Sequence, residues 1–160
     1  MNWDAISAIA EISGAVVVVA SLVYVGRQIG QNTAMMRISA ASETMERDYD
    51  LVLPLIESHD FTEIWLKGDH RLDELSEADR QRLLFFERRA LTLWHHNYQL
   101  RMQGLFPDAM WHNQNWIIQN IGRRQAIREA WSLFKDSHET SFQEYMDEQF
   151  QIADDVSKEQ

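Results

Sequence analysis

One carboxylate stands where the sequence otherwise favours hydrocarbon. From Ala5 to Gly26 the chain runs 22 residues with Glu11 as its single charged side chain. An ionised carboxylate facing lipid costs a few kcal/mol, and somewhat less away from the bilayer centre. Glu11 therefore has to protonate, reach the outer interface, or face another helix. Small residues surround it: Ser7, Gly14 and Ser21, with Ala10 four residues before Gly14. They let helices approach closely and supply hydroxyl partners. Three roles fit Glu11. It is a near-interface carboxylate that helps hold the N-terminus outside, a contact to a second helix, or one member of a ring lining a cation pore.

Other residue types with chemical potential are scattered. His95 and His96 follow Trp94, and Asp108 and His112 stand four residues apart, a spacing that places two ligands on one helical face. There is no Glu-x-x-His or His-Glu-x-x-His, and none of the Gly-rich or Gly-x-Ser-x-Gly signatures of phosphate binding or nucleophilic catalysis. No catalytic residue, metal ligand or cofactor is assigned. A tethered enzyme using His95, His96 or His112 is the weakest reading. Trp111-His-Asn-Gln-Asn-Trp116 brackets amides and an imidazole with two indoles, a set able to stack on a sugar or base. A core helix with two large anchors explains it equally well.

The apolar run is long enough to matter. At ~1.5 Å per residue, a helix of this length covers the ~30 Å hydrocarbon layer. The leader Met-Asn-Trp-Asp is acidic, unlike the basic start of a signal peptide, and Trp3 and Tyr24 stand near the two ends. No Lys or Arg precedes the span, whereas Arg27, Arg37 and Arg47 follow it. The positive-inside bias then places the N-terminus outside and the remainder in the cytoplasm of a bacterial inner-membrane protein.

Away from this run the composition is that of a water-facing protein. Mean hydropathy over the 160 residues is -0.41, net charge is -10, and six Trp contribute to the apolar content. With no Cys, disulfides and thiolate chemistry are excluded. Arg80 to Arg128 contains eight Arg against Glu87 and Asp108, whereas Asp136 to Gln160 holds eight acidic residues against Lys158. These stretches either neutralise one another in the fold or present a basic face to anionic lipid. Nucleic acid is not expected as a partner of so acidic a chain.

The rest reads as helices. Met35, Ile38, Ser42, Met45, Tyr49 and Val52 recur every three or four residues, forming a helical stripe of core or coiled-seam type. Pro54 should end or kink that helix near Asp50 to Leu53. Asp60 and Glu63 resemble a capping pair for a short helix stopped by Gly68, and Ser76 with Asp79 caps a longer one ending at Gly104. Pro107-Asp108 opens another helix ending at Gly122. Ile127, Trp131 and Phe134 mark the next, and Phe142, Tyr145, Met146, Phe150 and Ile152 the last. No long alternating stretch favours a strand. The expected organisation is all-α: a span with its outer flank over residues 1–30, an amphipathic connecting helix over 31–58, a bundle over 59–152, and a disordered acidic tail over 153–160.

Ile9, Glu11, Gly14, Ser21, Leu22, Tyr24, Gln28, Ile29, Asn32 and Thr33 carry a resemblance. Weaker echoes are Leu75-Ser76 before Arg80, Gly104 before Trp111, and Trp131 before Phe142. On these residues the chain resembles uncharacterised bacterial proteins with one N-terminal membrane span and a cytoplasmic helical domain. The resemblance implies fold and membrane location, and no activity. The resulting expectation is a non-enzymatic, membrane-anchored interaction module or accessory subunit. Its span would meet a second copy or a partner helix through Ser7, Glu11, Gly14 and Ser21, and its bundle a cytoplasmic protein. A cation channel with a Glu11 ring is the alternative.

Overall fold

A computed structural model describes residues 3–158, and their side chains except at positions 5, 6, 8–10, 157 and 158. The described residues form six α-helices and two short 3-10 turns, with no strand. The helices are α1 (Trp3–Glu57), α2 (His59–Lys67), α3 (Glu77–Met102), α4 (Asp108–Ile121), α5 (Gln125–Phe134) and α6 (Thr140–Lys158). The chain divides into two compact units, Met1–Ser39 and Ala40–Gln160, so the last turns of α1 belong to the second.

Local chemistry sets most boundaries. Ser76 accepts a hydrogen bond from the Asp79 N–H and so caps α3. At its other end Gly104 takes φ of +70°, which a side chain disfavours, and the Leu105 N–H returns to the Leu100 carbonyl at 2.9 Å. Gly68 ends α2 because the site has no room. A Cβ there would stand 2.7 Å from Leu83 Cδ2, in the approach that lets the Ala126 N–H bond the Gly68 carbonyl.

Three expected boundaries move. Helix α1 runs through Pro54 to Glu57 instead of stopping near Asp50 to Leu53. So close to the C-terminus, the proline forfeits only its own bond to the Asp50 carbonyl. The Ser58 N–H bonds the Pro54 carbonyl at 3.2 Å and the Thr62 hydroxyl bonds that of Leu55 at 2.6 Å, which satisfies the exposed end. The cap of α2 is Ser58, which accepts from the Phe61 N–H, and not Asp60. The tail expected to be disordered from Ala153 is helical to Lys158, because Ala153 is itself buried and holds the last turns against the bundle. Residues 159 and 160 lie outside the described residues.

The second unit has a core in two parts. Leu91, Ile118, Ile127, Phe142, Met146 and Phe150 centre the larger part, and Phe61, Leu72 and Leu83 the smaller. Each such side chain stabilises the fold by about 1.5–3 kcal/mol on burial. The turns of α1 in this unit join through Ala40 and Thr44, both buried, and through Leu51 and Leu55, which pack on the two clusters. A buried polar chain fixes the register: Thr44 Oγ1 donates to Asn97 Oδ1 at 3.3 Å, and Asn97 Nδ2 to Gln114 Oε1 at 2.7 Å. In the first unit the described side chains from Trp3 to Thr33 bury nothing comparable. Among the described residues one helix is long and apolar enough to cross a membrane, and its most apolar window is 0% buried.

Candidate functional site

Ser7, Glu11, Gly14 and Ser21 all lie on α1 and all are exposed. At ~100° per residue they fall within an arc of about 80°, so one helical face carries the set. A Cβ at Gly14 would meet nothing within 4 Å, which leaves that face open to close approach. The Ser21 hydroxyl donates to the Val17 carbonyl at 2.8 Å on its own helix. The Ala10 side chain lies outside the described residues.

The stripe read as a core or seam is not in the core. Met35, Ile38, Met45, Tyr49 and Val52, with Ile56 one step further, are exposed by 41–71%. Within the second unit α1 therefore has three faces. Ala40, Thr44, Leu51 and Leu55 meet the bundle, Glu43, Glu46, Arg47 and Asp50 face water, and Met45, Tyr49, Val52 and Ile56 form an apolar flank.

Four of the eight arginines in the Arg80 to Arg128 stretch pair with carboxylates. Arg124 is the centre of a buried network: its Nη1 bonds Glu87 Oε1 at 2.7 Å, Nε bonds Asp69, and Nη2 bonds the Trp65 carbonyl. Its guanidinium also lies over the Trp65 ring, 3.6 Å from the centroid. Burial pushes the Glu87 carboxyl up, against the pull of Arg124. Arg80 pairs with Glu129, Arg101 with Asp108, and Arg128 with Asp154. Glu87 was legible as a carboxylate in the apolar stripe of Leu83, Ala90 and Trp94; its partners, far away in sequence, were not.

The histidines do not assemble as a metal site. His112 is exposed, and Asp108 is engaged by Arg101. No group of three or more His, Asp or Glu able to hold a metal occurs among the described residues. His95 instead meets His138, their Nδ1 atoms 3.2 Å apart, while its Nε2 lies 3.4 Å from Glu139 Oε1. His138 stacks on Trp131 with centroids 5.7 Å apart. Burial, His95 and Arg88 hold His138 below the usual imidazole range, and burial and Arg47 do the same for His96. No local motif marked the His95–His138 contact, which joins residues 43 apart.

The tryptophan motif divides. Trp111 stacks on Tyr145 at 5.1 Å, Gln114 is buried, and Asn115 accepts from the Tyr145 hydroxyl at 2.7 Å. His112, Asn113 and Trp116 face outward, so the two indoles do not share a platform.

A cleft of about 750 Å³ opens between α3 and the last turns of α1, lined by Arg47, Arg88, Arg89, His95, His96 and Gln99 among others. Comparison with protein-family models, with curated proteins and with solved structures returned no match.

Proposed function

We propose that this chain is a membrane-anchored, non-enzymatic interaction module, or an accessory subunit of a membrane assembly, that self-associates through α1. One observation carries the reading: a helix with enough apolar length to span a bilayer whose apolar surface finds no cover within its own chain. Lipid and a second helix are what satisfy such a surface. In the membrane stretch of α1 the small residues Ser7, Gly14 and Ser21 stand seven residues apart and so fall on one side of the helix. Small residues on one side of a helix allow the close packing that drives association within a membrane. Glu11 flanks this face, where a facing helix shields its carboxylate from lipid. The arginines after the span favour an N-out orientation in a bacterial inner membrane, with the bundle in the cytoplasm meeting a further protein.

The absence of Cys makes the test clean, since any introduced thiol is unique. Asp4→Cys and Glu57→Cys are expressed separately, and intact spheroplasts are treated with a membrane-impermeant maleimide. Position 4 is expected to label at once and position 57 only after lysis. Release of the protein by alkaline carbonate would remove the anchor, and the opposite labelling pattern would reverse the orientation.

A further inference from the structure

The arginines of α3 divide into those with partners and those that converge on a cavity. Arg80 and Arg101 hold carboxylates, and Arg82 lies over the Phe61 ring. Arg88 lies over Phe134, 4.9 Å from its centroid, and is otherwise exposed. Arg89 is exposed and has neither a carboxylate nor a ring as partner. Both line the cleft of about 750 Å³, together with His95, His96 and Gln99 of the same helix. His95 and Gln99 are engaged with one another, with Nε2 atoms 3.4 Å apart, and His95 also with His138 and Glu139, so Arg88, Arg89 and His96 are the donors that α3 turns to the cleft. Helix α1 supplies Arg47 from the other side.

The negative charge at this place is small. Asp50 is the one carboxylate in the lining, Glu43 bonds Arg47 at the rim at 2.6 Å, and Glu139 lies behind His95 at 3.4 Å, against Arg47, Arg88 and Arg89. A positive island in a chain of net charge -10 is unexpected from composition alone. Guanidinium forks match the geometry of phosphate oxygens, and imidazole and amide N–H groups complete such a shell. The exposed Phe85 and the flanks of Leu51 and Leu93 add an apolar wall to the same cavity. We infer that this cleft is a binding site for a phosphate-bearing ligand, with Arg88 and Arg89 as its principal anion contacts and Arg47 facing them. The phosphoryl group belongs either to a soluble organic phosphate or to an anionic lipid headgroup. This site does not depend on how α1 associates.

The test uses the full chain in phosphatidylcholine nanodiscs, with the ring signals of His95 and His96 followed by NMR. Inorganic pyrophosphate is titrated first, then the discs are changed to phosphatidylglycerol. Movement of these signals on pyrophosphate addition, with affinity at least tenfold weaker in Arg89→Ala, supports the site with a soluble ligand. Movement only in phosphatidylglycerol discs, abolished in Arg89→Ala, supports it with a headgroup. Arg89 makes no contact that folding needs, so an unchanged thermal midpoint accompanies either result. Arg123→Ala, which removes an equal exposed charge outside the cleft, is expected to change affinity less than twofold. Equal weakening by Arg123→Ala, insensitivity to Arg89→Ala, or no movement in either disc overturns the proposal.

Discussion

The two units treat the same kinds of residue in opposite ways. In the second unit, carboxylates and arginines that leave water find each other: Glu87, 1% exposed, meets Arg124, 7% exposed, and Asp69 completes the set. In the first unit, Glu11 has an apolar neighbourhood along α1 but no cover from its own chain. Leu91 and Ile127 likewise vanish into a core, whereas Val16, Leu22 and Ile29 stay more than 60% exposed. The difference shows where each unit's stability comes from. The bundle closes on itself, while the apolar side chains in the first part of α1 have no cover from their own chain, which is the surface the proposed lipid or helix contact would satisfy.

The largest expected effect breaks the closed side of that comparison. Arg124→Ala leaves Glu87 buried without its cation and frees the Trp65 carbonyl, a loss of about 3–5 kcal/mol. Chemical denaturation of the full chain in detergent, followed by Trp fluorescence, reads it. An effect under about 1 kcal/mol would mean the network is wetter than its geometry implies. Asn97→Ala comes next, because Thr44 and Gln114 both lose their partner. About 1–3 kcal/mol is expected from two orphaned buried groups. On the open side the same denaturation should hardly respond. Ile38→Glu with Met45→Glu alters residues 71% and 65% exposed, so bundle stability should stay within about 0.5 kcal/mol. Cross-linking of α1 between copies in membranes should nevertheless fall severalfold, and Glu11→Gln should weaken it as well. Loss of stability without loss of cross-linking would mean that this stripe packs inside the chain.

Much of this fold was readable because its punctuation is local. Ser76, Gly104, Pro107 and Gly122 act on their own turn of chain, and each bounds a helix where its chemistry requires. Pro54 misled because its local penalty is real but small so near a helix end, and Ser58 and Asp60 are equally good caps two residues apart. What could not be read is long-range. Arg124 reaches Asp69 across 55 positions and Thr44 reaches Asn97 across 53. The cleft exists only because α1 brings Arg47 opposite Arg88 and Arg89, which no spacing within α3 contains. That Ser7, Glu11, Gly14 and Ser21 share one side of a helix, by contrast, was legible, since this needs only one helix.

The smallest effect sharpens the comparison by asking whether the closed unit answers to pH through its histidines. His138 is held below the usual imidazole range by burial, by His95 at 3.2 Å and by Arg88. The unfolded chain therefore binds a proton more readily than the folded one just below pH 6.5. Stability contributed by neutral His138 is present above that pH and is lost as the pH falls toward the depressed folded value. His96 titrates in the same direction, because burial and Arg47 disfavour its charge. Asp48 and Glu87, both raised by burial, gain stability as the pH falls and so oppose the histidines, whose own share between about pH 6.5 and 5.5 is read as a difference from a variant that lacks the imidazole. The histidine share of the thermal midpoint should decline on acidification across that window. His138→Phe keeps the stacking on Trp131 and Phe142 without a titrating group, and should reduce the slope while His96 retains the remainder. An unchanged slope in His138→Phe would mean that His138 binds its proton equally well in the folded and unfolded chain.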